Sequence, residues 1–227
     1  MARHRDVETA QPAQTGKQEG LAYALYLPED ARGGVVILHG ADSVGENHAD
    51  FARLCHASGL AAVVFDQRGH GSSEGALGAG ALEDVAQMAA LLPAGPVFLR
   101  GSSMGGFVAL AAASAVGARG VVAICPAGRE LVLSGLRQGR FEFRADVPAL
   151  ATLLETVDLE AASRMLGDDL LLMHADGDER VPVEHSAMLH AAAPGSRLLR
   201  FAGGHHGSLQ HDPELQAESV RFFLRRV

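Results

Sequence analysis

The chain is poor in cysteine, since only Cys55 and Cys125 occur among its 227 residues, and both lie inside apolar segments. A disulfide framework needs several cysteines at regular spacing, so we expect two buried thiols of a reducing compartment instead. A chain of this length buries on the order of 70% of its unfolded surface, which is enough for a core without a disulfide or metal staple. We therefore expect an ordinary soluble globular protein.

Long apolar runs and an excess of positive charge are also absent. No stretch of about 18 apolar residues occurs, which argues against a transmembrane helix. Residues 1–11 carry Arg3 and Arg5 without an apolar run behind them, so we predict no secretory signal and a cytoplasmic location. The net charge of −8, from 19 basic and 27 acidic side chains, repels phosphate backbones, so we expect no nucleic-acid partner.

What the sequence contains is an alternation of short apolar runs with segments of helical character. The runs predict strands at residues 21–27, 35–38, 60–65, 97–99, 121–124, 170–173 and 198–201. The segments between and after them predict helices at residues 48–57, 82–92, 104–116, 183–192 and 213–225. Strands that are apolar on both sides indicate a buried, mostly parallel sheet with helices on both faces, which is a doubly wound α/β architecture.

One region interrupts this alternation, because residues 127–167 contain no clear strand. We predict a single domain over residues 1–227 with a lid-like insertion at about 127–167. Such an insertion could cover the crevice beyond the carboxyl ends of the strands, where open α/β sheets bind ligands. Its Arg137, Arg140 and Arg144 would favour substrates with a carboxylate or phosphate, and a solvated helix face is the alternative interpretation.

A candidate nucleophile stands between the strand at 97–99 and the helix that follows it. The pattern G-x-S-x-G in this context predicts a strained turn that lifts a serine above the sheet. Gly101 and Gly105 lie two positions on either side of Ser103, whereas Ser102 has no glycine at either of these positions. Ser103 is therefore the predicted nucleophile, and a serine N-cap in a glycine-rich turn is the alternative. A serine needs a histidine base that a carboxylate orients.

Residues 174–182, HADGDERVP, follow the strand at 170–173 and resemble the H-G-x-x-D-x-x-V-P pattern of the α/β-hydrolase family. The resemblance implies Asp178 as the acid, although Ala175 stands where the family usually has glycine. Asp176 is the rival, and both aspartates could instead shape a turn.

The family often shows G-x-x-H after the last strand. Counting from Gly203 gives His206 as the base, and counting from Ala202 gives His205. A metal site that includes His211 is a weaker interpretation, because no carboxylate or thiolate stands at a familiar metal spacing.

The oxyanion of an acyl-transfer intermediate needs two amide donors. The position after the nucleophile predicts the backbone N–H of Met104, and residues 39–41, HGA, resemble the H-G-x motif of the family, which implies the N–H of Ala41. Residues 66–73 also resemble the D-x-R-G-x-G-x-S loop of the same family. The order Ser103, Asp178, His206 is the order that this fold uses, and the resemblance extends from about residue 21 to the C-terminus.

The resemblance implies a serine hydrolase that cleaves carboxylic esters through an acyl-enzyme, similar to small esterases of the cinnamoyl-esterase or monoacylglycerol-lipase type. Thioesterase, peptidase and acyltransferase activities use the same machinery, and a non-catalytic ligand-binding module on this fold is a further alternative. A serine at the turn argues against haloalkane dehalogenases and epoxide hydrolases, which have an aspartate there. We expect a small-molecule ester substrate and no cofactor or metal; the sequence leaves the specificity and the oligomeric state open.

Overall fold

The computed structural model describes residues 10–227, in which eight strands and eight α-helices are assigned. The strands are β1 (Gln14–Gln18), β2 (Leu21–Tyr26), β3 (Gly34–Leu38), β4 (Ala61–Phe65), β5 (Val97–Ser102), β6 (Gly120–Ile124), β7 (Leu170–Ala175) and β8 (Arg197–Phe201). The helices are α1 (Ala49–Ala57), α2 (Ala81–Ala89), α3 (Met104–Ala112), α4 (Arg129–Arg137), α5 (Val147–Thr156), α6 (Leu159–Leu166), α7 (Val183–Ala192) and α8 (Pro213–Leu224). The prediction about a secretory signal concerns residues 1–11, of which 1–9 lie outside the described residues.

All eight strands form one sheet in the order β1-β2-β4-β3-β5-β6-β7-β8. β2 pairs antiparallel with both β1 and β4. From β4 to β8, every neighbouring pair of strands is parallel. The predicted mostly parallel α/β sheet is therefore confirmed.

The central strands are apolar on both faces because helices cover both faces. Every residue of β3, β4, β6 and β7 is buried. Along β3, Val36 and Leu38 belong to the core that includes α2 and α3. Val35 and Ile37 belong to the second core, with α1 and α8. This alternation follows from the two-residue period of a strand.

β1 and α3 are two of the elements that differ from the sequence predictions. β1 was not predicted, because none of its five residues has an apolar side chain and all of them are exposed, so no apolar alternation marks it. It forms through backbone pairing with β2, from Gln14 opposite Leu25 to Gln18 opposite Leu21. The helix predicted over residues 104–116 ends at Ala112 and continues as turns.

The segment between β6 and β7 folds into α4, α5 and α6. Asp146 begins α5 by accepting a hydrogen bond from the Ala149 N–H at 3.2 Å, with Pro148 in the first turn. Asp158 begins α6 in the same way, through the Ala161 N–H at 2.9 Å. Side-chain caps of this kind satisfy amide groups that have no partner inside the helix. The side-chain caps at Asp146 and Asp158 therefore help to determine where α5 and α6 begin.

Within residues 10–227, the structure also bears on two expectations from the sequence, which concern membrane-spanning helices and the two cysteines. None of the helices there combines the length and the apolar composition that crossing a bilayer requires. Cys55 and Cys125 are both free and buried, as the sequence predicts.

Candidate active site

Four loops that follow parallel strands carry the predicted site residues to one edge of the sheet. Ala41 follows β3, Ser103 follows β5, Asp178 follows β7 and His206 follows β8. Parallel strands end at the same edge, so residues far apart in the chain meet there. Ala41, Ser103, Met104 and His206 line one cavity of about 710 Å³ at this edge.

Ser103 occupies a strained turn between β5 and α3. Its backbone has φ 55° and ψ −120°, a conformation that residues other than glycine rarely adopt. A Cβ atom at Gly101 would lie 2.1 Å from the Gly105 carbonyl oxygen, and one at Gly105 would lie 2.4 Å from the Leu38 carbonyl oxygen. The two glycines are therefore required by close backbone approach, as the G-x-S-x-G pattern predicts.

Backbone hydrogen bonds hold Ser103 in this conformation. Its N–H donates to the Ile124 carbonyl at 2.9 Å, and its carbonyl accepts from the N–H groups of Phe107 and Ala127 at 3.1 and 3.0 Å. Ser102, the alternative nucleophile, is buried in β5, and its hydroxyl has no partner within the described residues. Ser103 is the more exposed of the two serines, since Ser102 retains only 5% of its surface.

The structure joins Asp178 to His206. A carboxylate oxygen of Asp178 lies 2.8 Å from Nδ1 of His206, and the Asp178 side chain is fully buried whereas 13% of the imidazole is exposed. The other carboxylate oxygen accepts the backbone N–H groups of Arg180 and Val181, each at 2.8 Å. The loop after β7 therefore fixes the orientation of the carboxylate independently of its contact with the imidazole.

These contacts determine the charge of Asp178 and the tautomer of His206. Burial opposes ionisation of Asp178, but the hydrogen bonds from the Val181 N–H and the His206 ring outweigh it and lower the pKa of the carboxyl. An ionised carboxylate only accepts hydrogen bonds, so the proton of the shared bond belongs to Nδ1 of His206. Nε2 is then the ring atom that can accept a proton from another group.

The rival residues make other contacts. Asp176 pairs with Arg200 at 2.8 Å at the surface and not with a histidine. His205 lines the same cavity, but it is exposed, and its backbone N–H bonds the Ser208 hydroxyl at 3.1 Å. His211, considered above as a metal ligand, pairs with Asp50 at 2.9 Å. Among the candidates for acid and base, the structure thus brings together Asp178 and His206.

The hydroxyl of Ser103 and the imidazole of His206 line the same cavity, but no hydrogen bond joins them within residues 10–227. Hydrogen bonds between a nucleophile and its base often tighten only when substrate binds. The strained Ser103 and the His206 imidazole, which Asp178 contacts at Nδ1, therefore line a common cavity.

The loop after β3 presents an oriented peptide group to the cavity. Nε2 of His39 accepts the Gln67 N–H at 2.9 Å, so Nδ1 carries the proton and donates to the Gly40 carbonyl at 2.7 Å. Burial keeps this ring neutral by lowering its pKa to about 4. Because a peptide group is planar and trans, holding the Gly40 carbonyl directs the Ala41 N–H the opposite way. The Met104 N–H is the first of α3, where amides lack an acceptor within the helix.

Cys125 is a neighbour of this site that the sequence patterns do not identify. It follows β6 with φ 43°, and its Sγ lies within 4.8 Å of an Asp178 oxygen and a His206 nitrogen. Burial, followed by the Asp178 carboxylate, raises the pKa of the thiol to about 12, so the sulfur stays protonated. Cys125, Asp178 and His206 are all residue types that bind metal ions, but Asp178 and His206 already share a hydrogen bond. No local motif marks Cys125, because only the pairing of β6 with β7 brings it to Asp178.

His174 approaches the same carboxylate oxygen of Asp178 as His206 does. It is fully buried at the end of β7, and its ring nitrogens lie 2.7 Å from the Ser186 hydroxyl and 2.9 Å from the Val181 carbonyl. Nε2 also lies 3.5 Å from the nearer Asp178 oxygen. Burial lowers the pKa of His174, so the ring remains neutral and bonds both groups without adding charge beside the acid.

A comparison with protein families matches residues 29–164 to a hydrolase family described as serine aminopeptidase, S33. The chain belongs to this α/β-hydrolase family of serine hydrolases. No curated protein is similar enough in sequence to be counted as a relative.

Solved structures of α/β-hydrolases share the fold over nearly the whole chain. Est1E from Butyrivibrio proteoclasticus with bound ferulic acid has 19% identity and a TM-score of 0.72, covering 94% of this chain and 99% of its own. Monoacylglycerol lipase from Paleococcus ferrophilus has 21% identity and a TM-score of 0.67, covering 90% and 97%. Monoglyceride lipase from Saccharomyces cerevisiae has 14% identity and a TM-score of 0.71, covering 96% of each chain. At these identities the likeness concerns the fold.

Proposed function

We propose that the protein is a serine esterase that cleaves small carboxylic esters, with Ser103 as nucleophile, His206 as base and Asp178 as the acid that orients it. The observation that carries this proposal is the 2.8 Å bond between buried Asp178 and His206 at the cavity that the strained Ser103 also lines. A nucleophile, a base and an orienting group of these types are the components of acyl transfer.

In the acylation step, the Ser103 oxygen attacks the ester carbonyl carbon while Nε2 of His206 accepts the hydroxyl proton. Asp178 stabilises the resulting imidazolium, and the N–H groups of Ala41 and Met104 bind the oxyanion. One such donor contributes about 2.7–4 kcal/mol to the transition state of acyl transfer. When the intermediate collapses, the bond to the alcohol oxygen breaks and His206 returns the proton to the leaving alcohol.

In the deacylation step, water replaces the alcohol. The water oxygen attacks the acyl carbon while His206 accepts a proton from the water. A second oxyanion then forms at the same two amides. Collapse releases the carboxylic acid and returns the proton to Ser103. The cycle needs no cofactor, because every proton passes through His206.

An ester substrate is supported over a peptide with a free amino terminus, which the family description would suggest. Recognition of an ammonium group requires an available carboxylate near the nucleophile. The cavity has the carboxylates of Asp42 and Glu179, and both contact Arg180, at 3.4 and 3.8 Å. Structural neighbours that are lipases and an esterase with bound ferulic acid also favour ester chemistry. A volume of about 710 Å³ suits a small molecule.

We also propose that the insertion over residues 127–167 acts as a lid on a single domain. The proposal is supported by Ala127, Leu131, Val132, Arg140 and Phe141, which line the cavity from the insertion. The four apolar side chains among them would exclude water from the acyl-enzyme. The triad residues come from the loops that follow the strands of the sheet.

Labelling with a fluorophosphonate probe tests the nucleophile. We expect wild type to be labelled and Ser103→Ala to be unlabelled, while Ser102→Ala, the matched removal of the neighbouring hydroxyl, keeps its label. Turnover of p-nitrophenyl acetate and of an alanine p-nitroanilide then separates esterase from aminopeptidase. Equal labelling of wild type and Ser103→Ala would refute the assignment of the nucleophile, and preference for the anilide would refute the assignment of the substrate.

A further inference from the structure

The insertion carries three candidate arginines, and the structure separates them. Arg144 is tied to the loop after β4, because its guanidinium donates to the Ser73 carbonyl at 3.1 Å. Arg137, in the last turn of α4, is exposed and does not line the cavity. Arg140 is the one of these three that lines the cavity together with Ser103 and His206.

The end of α4 fixes the backbone that carries Arg140. The Gly139 N–H donates to the Leu136 carbonyl at 3.1 Å, and the Arg140 N–H donates to the Gly135 carbonyl at 2.9 Å. With Gly139 at φ 61°, these two bonds form a Schellman motif, in which the chain reverses across the last helical turn. Gly135 gives the ring of Phe141 room to pack on α4, since a Cβ there would lie 2.3 Å from that ring. The backbone at Arg140 is thereby held at the cavity rather than along the helix.

Arg140 is also free to bind an anion. Of the other charged residues of the cavity, Arg180 contacts both Asp42 and Glu179. Within residues 10–227, no carboxylate lies within ion-pair distance of the Arg140 guanidinium, whose hydrogen bond to the Ser134 hydroxyl is 3.5 Å long. A planar guanidinium matches a carboxylate through two parallel hydrogen bonds, which a neutral ester group does not offer.

We propose that Arg140 determines substrate specificity, by binding a carboxylate that the ester carries away from its scissile bond. The inference rests on the proposed esterase function and names its substrate class: half-esters and esters of carboxylated alcohols. The protein as a whole has a net charge of −8 and repels anions, so a local cation is needed if such substrates are to be selected.

Two matched pairs of substrates test this assignment, one for each side of the ester bond. On the acyl side, the mono-p-nitrophenyl ester of adipic acid is compared with p-nitrophenyl hexanoate. On the alcohol side, para-carboxyphenyl acetate is compared with para-carbamoylphenyl acetate. The quantity measured is the ratio of kcat/KM for the anionic member to that for the neutral member, so differences in leaving group cancel between variants.

We expect Arg140→Ala to lower this ratio about fivefold in at least one pair, the size expected of an ion pair at a partly exposed site. Arg140→Lys should retain part of the ratio, and Arg137→Ala, a matched control three residues away in the last turn of α4, should retain all of it. Raising the KCl concentration should lower the wild-type ratio but not that of Arg140→Ala, because salt screens an exposed pair. A purely structural role would not produce this difference in salt dependence.

The outcomes distinguish this inference from the proposed function. If wild type cleaves the esters but Arg140→Ala keeps both ratios, Arg140 has no part in specificity and only this inference fails. If wild type cleaves none of the four esters, the esterase function fails and the inference fails with it.

Discussion

The substitution Gly101→Ala tests the turn geometry on which the proposed role of Ser103 as nucleophile depends. The new Cβ would lie 2.1 Å from the Gly105 carbonyl oxygen and 2.7 Å from the Gly106 nitrogen, and both are backbone atoms of the turn. Relieving this overlap requires a backbone shift of roughly 1 Å, and a misplacement of that size costs about 100-fold in rate. Overpacking of this kind should also destabilise the fold by about 1–3 kcal/mol.

Gly80→Ala is the matched control, because a Cβ at Gly80 meets nothing within 4 Å. Its stability should stay within about 1 kcal/mol of wild type, since a weaker helix cap and a less flexible unfolded chain offset each other. The assays are kcat/KM on p-nitrophenyl acetate, the rate of fluorophosphonate labelling and the midpoint of urea unfolding. The reasoning is refuted if Gly101→Ala retains the activity and the midpoint of Gly80→Ala.

Three further predictions concern the base, the buried histidines and the thiols. His206→Ala should lower kcat/KM on esters by roughly 10³-fold or more, and His205→Ala far less, so comparable losses would contradict the assignment of the base. Burial first, then nearby positive groups, lowers the pKa of His48 from 6.5 to about 3, so between these values the unfolded chain binds a proton that the folded chain does not. The free energy of unfolding should therefore fall by about 1.4 kcal/mol per pH unit as the pH decreases through this window. When this free energy is measured by urea unfolding at several pH values, its slope against pH should be shallower by that amount in His48→Phe. An unchanged slope against pH would contradict the prediction. Burial raises the pKa of both Cys55 and Cys125, so Ellman's reagent should label the protein only after unfolding, and rapid labelling of the native protein would show that these thiols are accessible.

The fold was largely predictable from the sequence because burial on both faces leaves an apolar run for each central strand. The same reasoning fails where burial is absent, as in β1, whose polar residues are ordered only by backbone pairing with β2. It also failed to resolve the insertion, because its helices have only 9, 10 and 8 residues, too few for a pattern of apolar residues to stand out. There, the caps at Asp146 and Asp158 are signals that could have located α5 and α6.

The candidate site was predictable where the chemistry imposes a local pattern. The close approaches at Gly101 and Gly105 force glycine on both sides of Ser103, so the sequence itself records the strained turn. Cys125 and Arg140 have no such pattern. Their places near the site depend on which strands pair and on how α4 ends, and these are properties of the folded chain.

The segment after β6 connects the two halves of the site. Its Ile124 carbonyl and Ala127 N–H both bond the backbone of Ser103, and its Cys125 N–H donates to the Met173 carbonyl of β7 at 2.8 Å. β7 in turn leads directly into the loop that holds Asp178, so Ser103 and Asp178, the proposed nucleophile and acid, are linked through one short run of backbone. Because rates of acyl transfer depend on sub-ångström placement, a shared backbone support is a more effective means of positioning than separate flexible loops. The short distance from Cys125 Sγ to Asp178 and His206 follows from this arrangement, since Cys125 lies in the segment that bonds both Ser103 and β7.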